Sequence, residues 1–364
     1  MTDSGIGPIS LADIMALPDG VYVDSVNGVA GTAWPIGTPG RPVSNLADAL
    51  TIMAARNLPK LYLGNDLTFD TNVSLTLVGN PKYDIAVSSG ITVNFYGDVS
   101  CNTLTNTGGK VYVFGNLYVA EHDLTSSGAL KGVYVYGDCY VNGYVSTTAG
   151  SEIGVFGNMW AGSSITVSGT NSLLIVEKSL WCHWDCTISS GGLVEIQQDC
   201  LVGLTLTATG TSIVVKGILT VKNLASVGGY IEAAGGIRVV GDFSSDGDPY
   251  ICTAGVFYWG ADALPHSDTF INGGFLEAPE CHIYHELDCN SSVDSATSRI
   301  VNRGSLTVNN MVAGATAIID LCGGTLTIAA TCTGGTITLY GDCKLVDLSG
   351  AAVTVVDERV PGHA

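Results

Sequence analysis

Two short stretches bring thiol and imidazole side chains close together. They are WCHWDC, with Cys182, His183 and Cys186, and ECHIYHELDC, with Cys281, His282, His285 and Cys289. These are the donor types that zinc takes. Neither spacing is that of a zinc finger, and no third pair completes a four-ligand shell. Alternation along a strand also sends Cys281 and His282 to opposite faces. Both clusters therefore read as loop or core residues; Cys281, His282, His285 and Cys289 are kept as a weak metal candidate, and no cofactor is expected.

Carboxylates offer a second chemistry. Polysaccharide lyases group acidic Ca²⁺ ligands beside a base, and glycoside hydrolases hold two carboxyl groups at a fixed separation. Here the recurring Asp98, Asp138, Asp199, Asp242 and Asp342 stand at chain turns, where Asp is an ordinary turn residue. Only 14 Lys and Arg accompany 33 Asp and Glu, so no basic residue obviously serves them. Asp268, Glu277, Glu280, Glu286 and Asp288 lie in the irregular stretch from Asp262 to Asp294, which reads as an insertion. No catalytic residue is assigned, and the expectation is a protein that is not an enzyme.

The eleven cysteines admit two readings: small apolar core residues, or disulfides formed after release from a cell. Net charge is −19 with no basic run, which argues against nucleic acid and anionic membrane as partners. The opening MTDSGIGPIS lacks a positive and an apolar segment, so no secretory signal is expected, and no 18-residue apolar stretch is present.

What would position any site is a repeat. From residue 91 onward a pattern returns roughly every 20 residues, a solenoid period: ITVNFYGDVS, KVYVFGNLYV, GVYVYGDCYV, EIGVFGNMWA, LLIVEKSLWC, LVEIQQDCLV, SIVVKGILTV, GIRVVGDFSS and TITLYGDCKL. Within a unit Val111, Val113, Leu117 and Val119 fall on one face, and Tyr112, Phe114 and Tyr118 on the other. Gly97, Gly115, Gly137, Gly157, Gly241 and Gly341, each followed by Asp or Asn, mark a corner whose left-handed backbone those residues tolerate. Second turns such as Gly108-Gly109, Ser127-Gly128 and Gly191-Gly192 precede most units. Coils this short leave no room for a crossover helix. Cys139, Cys200 and Cys343 share one inward slot with Leu117, Met159, Leu180, Ile218 and Phe243, which favours packing.

Outward positions carry aromatic rows: Tyr96, Phe114, Tyr136 and Phe156 before the corner, with Tyr112 and Tyr134 beside them, and Tyr118, Tyr140, Trp160 and Trp181 after it. Further along, the first row becomes Glu177, Gln197, Lys216 and Val240. Three readings stand: a ladder of rings that stabilises the sheet, a protein interface, or a platform for glycan stacking.

Ahead of the repeat, Val21 to Leu63 reads as strand, Gly- and Pro-rich loop, helix and strand. Asn45 and Asp48 resemble a capping box, Leu46, Ala49, Leu50 and Met53 form an inward stripe, and Asn57 with Pro59 ends the helix. Such a helix would cover the first coil. A briefer amphipathic helix is predicted over Ser10 to Leu17, ended by Pro18.

The segment VYVDSVNGVAGTAWPIGTPGRPVSNLADALTIMA followed by KLYLGNDLTFD resembles the opening of pectate-lyase-like right-handed parallel β-helix proteins. Its wording is similar to structural proteins of tailed bacteriophages. That resemblance implies an all-β, single-stranded right-handed parallel β-helix with a short N-terminal capping α-helix. It also implies a virion location, as a spike, fibre or decoration protein.

The expected layout is an arm over 1–20, the cap over 21–63, coils over 64–350 with an insertion near 261–295, and a strand and tail over 351–364. Expected partners are copies of the chain in a homotrimer and other virion proteins. The alternative is a tailspike that binds or depolymerises host surface glycan.

Overall fold

A computed structural model describes residues 19–129, 131–246 and 249–259, with the backbone of further strands between Phe270–Asn272 and Thr354–Asp357. The expectations for Ser10 to Leu17, and for most of 261–295, lie outside the described residues. The chain is all-β, a parallel β-solenoid of about nine turns with one helix among the described residues. It divides into two compact units, Met1–Ser146 with Ser151–Gly157, and Thr147–Gly150 with Asn158–Ala364.

In the first unit every strand pairs in parallel with its equivalent one coil on. One stack sets Lys110–Val113 on Gly132–Val135, with Tyr112 opposite Tyr134. A second sets Leu117–Val119 on Cys139–Val141, and a third Leu104–Asn106 on Leu124–Ser127. Val111, Val113, Leu117 and Val119 are buried, as the two-residue alternation requires. β-branched and aromatic residues fill these strands because the pleated, half-buried surface suits them. Deeper in, Phe69 and Phe95 meet edge to face with centroids 5.2 Å apart.

The lid is the helix α1, Leu46–Arg56. Its N-cap Asn45 accepts the Asp48 N–H at 2.8 Å, and the Asp48 carboxylate answers by binding the Asn45 side-chain amide at 2.8 Å and the Gly31 N–H at 2.7 Å. Asn57 ends the helix in the left-handed conformation, φ 54°. The buried face is Leu46, Ala49, Ile52 and Met53, so Ile52 takes the inward place expected of Leu50, which is only half-buried. Both residues border the apolar stripe of a 3.6-residue period, and packing decides between them.

In the second unit Met159–Ala161 pairs with Leu180–Cys182, and Ile165–Ser168 with Cys186–Ser189. Here the inward slot needs correcting. Cys200 stands opposite Leu219, and Ile218 is exposed at the corner. Phe243 is buried, but on the stack where it faces Leu224, and Val240 leaves the Glu177, Gln197, Lys216 row, where Ala234 continues instead. The Gly241-Asp242 motif thus marks a different corner from Gly115-Asn116, although the words are alike. The final predicted strand exists as Thr354–Asp357, paired with Thr336–Leu339.

The turn Asp and Asn residues bind across coils. Asp98 Oδ1 accepts the Asn116 N–H, and Asn116 Oδ1 the Asp138 N–H, both at 2.8 Å. Asp123 holds the Tyr144 N–H at 2.9 Å at the next corner, and in the second unit Asp199 holds the Ile218 N–H at 2.8 Å. Space, rather than a left-handed backbone, explains Gly115, Gly137 and Gly157 at this corner. A Cβ on Gly115 would stand 2.5 Å from Asp98 Oδ1, and one on Gly137 2.4 Å from Asn116 Oδ1. Of the corner glycines described, only Gly97 has positive φ, 93°.

Candidate interaction face

The corner holding Asp98, Asn116 and Asp138 is flanked by aromatic side chains, because strand alternation turns the residue before each Gly outward and the residue two after each Asp or Asn outward again. Tyr96, Phe114, Tyr136 and Phe156 are exposed by 51, 44, 45 and 46%. In-register pairing places each ring on the next. Centroids are 5.3 Å apart for Tyr96 and Phe114, 4.9 Å for Phe114 and Tyr136, and 4.7 Å for Tyr136 and Phe156, with interplanar angles of 15, 17 and 4°. The ring faces therefore cover one another, and edges and hydroxyls point to solvent.

Beside this row, Tyr112 stacks on Tyr134 at 5.1 Å. The Tyr134 ring lies over Gly154, where a Cβ would sit 3.2 Å from its Cδ1, and its hydroxyl donates to Glu152 at 3.0 Å. Burial and the Glu152 carboxylate raise its pKa. Across the corner Tyr118 and Tyr140 stack at 5.2 Å and 3°, with the Tyr140 hydroxyl 3.4 Å from Asp138 Oδ2. The ladder arrangement is thus present; Tyr118 and Tyr140 remain exposed, and Tyr112 and Tyr134 are half-buried.

In the second unit Trp160 and Trp181 stand opposite one another on adjacent strands, both exposed. Leu201 follows Trp181 in the same register. Four further exposed aromatics among the described residues, Trp34, Tyr144, Trp184 and Tyr250, fall outside the rows that the repeat marks, and Tyr250 stacks on Tyr230 at 5.7 Å. Tyr144 and Trp184 stand at the second corner, outside the recurring motif, and Trp34 is in the cap loop with the Arg56 guanidinium 5.1 Å from its ring centroid. The only signal for them in the chain is a large apolar residue next to turn residues.

The other candidate chemistry does not converge in the first cysteine cluster. Cys182 and Cys186 are buried while His183 is exposed, so their donors face opposite ways. Cys101, Cys139, Cys182, Cys186 and Cys200 are free and buried, which is the core reading, and Cys252 is half-buried. Burial pushes the Cys101 thiol up to about 12, with Asp84 adding to it, and Cys182 up to about 11. The side chains of Cys281, His282, His285 and Cys289, and Asp342, lie outside the described residues. Among the described residues no group of His, Cys, Asp and Glu is arranged to hold a metal, and no helix is long and apolar enough to cross a membrane.

Compared with known protein families, curated proteins and solved structures, the chain matches none of them.

Proposed function

We propose that this chain is a non-enzymatic structural component of a tailed-phage particle, a spike, fibre or decoration protein, assembled through the aromatic corner of its first unit. The partner is a second and third copy in a homotrimer or a neighbouring virion protein. The observation that carries this reading is the exposed, mutually stacked row Tyr96, Phe114, Tyr136 and Phe156. Sugars stack on ring faces, and in this row the faces between neighbours are already filled. Ring edges and hydroxyls, by contrast, suit the flat packing of a protein interface, where aromatics are enriched. Carboxylates bonded into the backbone of the next coil, as at Asp98, Asp123 and Asp199, favour a structural over a catalytic role. The virion assignment rests on the resemblance of the capped opening.

Light scattering on the full chain tests it, with proteomics of purified particles. A trimer that the double variant Phe114→Ser/Tyr136→Ser dissociates, and presence in virions, are expected. A monomer absent from particles would overturn it.

The exposed Trp160, Trp181 and Trp184 favour a second reading, a host-glycan-binding or depolymerising tailspike. Glycan-array binding lost in Trp181→Ala, or release of reducing ends from host polysaccharide, would support that reading instead.

A further inference from the structure

Beside glycine turns of the second unit lies a cleft of about 470 Å³, within the size range of clefts that take small ligands, ~300–1,000 Å³. Leu193, Ser212 and Tyr230 stand in register on successive coils and line it, together with the turn residues Gly210 and Thr211. None of its lining residues is charged.

This row differs from the filled ladder of the first unit. Tyr230 stacks on Tyr250 at 5.7 Å and 7°, so one face of its ring is covered. The other face looks along the solenoid towards Ser212, whose short side chain cannot cover it. Leu193 is two coils from Tyr230, about 9–10 Å, so the gap over Ser212 admits one flat ring in contact with Tyr230 at ~3.5–4 Å. At Gly210 a Cβ would meet nothing within 4 Å, which leaves the turn side open. The platform is also held in advance: the Tyr230 hydroxyl donates to Glu232 at 2.8 Å and is 3.6 Å from Cys252 Sγ.

We propose that this slot binds one neutral pyranose ring of a carbohydrate, with the apolar face of the sugar on Tyr230. A pyranose offers a flat C–H face to such a platform and hydroxyls around its rim. Ser212 and Glu232 supply polar groups for those hydroxyls, and Thr211 in the cleft wall has a buried hydroxyl with no hydrogen-bond partner. An anionic sugar is disfavoured by Glu232 and by the net charge of −19. Neither the aromatic corner of the first unit nor Trp181 lines this slot, so it is additional to the assembly face and to the tryptophan face.

Saturation-transfer NMR on the full chain tests this, with the methyl glycosides of glucose, galactose and N-acetylglucosamine as probes and N-acetyltyrosinamide as the contrasting flat ring. At least one glycoside should bind, Tyr230→Leu and Ser212→Tyr should each weaken it at least tenfold, and Trp181→Ala should leave it within twofold. Ser212→Tyr continues the stacked row instead of breaking it, so the chain stays folded, as urea unfolding would confirm, and lost binding reports the lost slot. Binding of no glycoside, or weakening by less than tenfold in Ser212→Tyr, would overturn the proposal. So would loss in Trp181→Ala, which places the sugar on the tryptophan face, or binding of N-acetyltyrosinamide alone, which gives the slot to a protein side chain.

Discussion

The carboxylate of Asp98 accepts a 2.8 Å hydrogen bond from the backbone N–H of Asn116, one coil further along. Asn116 repeats the bond to Asp138, so an amide separates two acids that would otherwise sit in adjacent coils, about 4.8 Å apart. Like charges in register are destabilising, and this alternation doubles their spacing.

Gly137→Ala should therefore be costly although the residue is at the surface corner. The new Cβ meets Asn116 Oδ1 at 2.4 Å, so either the coil spacing or the bond must yield, at about 1–3 kcal/mol. Asn116→Ala, which loses the bond without a clash, should cost about 1 kcal/mol. Urea unfolding of both variants checks the order; a neutral Gly137→Ala would refute the close-approach argument.

Phe114 and Tyr136 should be energetically coupled within the isolated chain. A double-mutant cycle to Ala is expected to give about 0.5–1.5 kcal/mol, the range for stacked aromatic pairs. Tyr118→Ala combined with Phe114→Ala should be closer to additive, because no stacking joins those two rings among the described residues.

The described thiols should be inert. Burial disfavours the thiolate, the nucleophilic form, at Cys101, Cys139, Cys182, Cys186 and Cys200. At pH 8 these five should resist alkylation until denaturant is added, as peptide mapping would read. Reductant should leave the unfolding midpoint of this region unchanged.

Acid should loosen the lid. Burial alone would raise the Asp24 pKa, but hydrogen bonds from Asn27 and from the Val26 N–H outweigh it and hold the carboxyl below its ordinary value. The Gly31 N–H and the Asn45 amide do the same for Asp48. With folded values below the unfolded one of about 3.9, the stabilisation is complete above that pH and is lost as pH falls through the folded values. Protection factors over residues 20–57, the exchange rates corrected for the intrinsic rate at each pH, should fall as pH is lowered from 5 to 2. Asp48→Asn should flatten that dependence.

Much of this fold was legible in the chain. Alternation in units such as KVYVFGNLYV placed Val111 and Val113 inside and Phe114 outside, and a 20-residue period fixed which rings would align. Ile218 and Phe243 were misplaced because Gly-Ile and Gly-Asp look alike in sequence whichever corner they occupy; only pairing distinguishes them. The cross-coil role of Asp98 and Asp199 was hidden for a related reason: the partner N–H is 18 or 19 residues away, beyond any local turn rule. Likewise, that the aromatic faces would be filled depended on ring orientation, which spacing alone does not set.

The stacked row has a metric consequence. Its rings recur at 4.7 to 5.3 Å, the rise of one coil, and present their rims outward like the graduations of a ruler. A partner built with the same rise can mesh with it at every graduation or be displaced by a whole step, with nothing stable between. If the proposed assembly uses this face, the height at which a neighbour attaches would be quantised by the solenoid's own repeat.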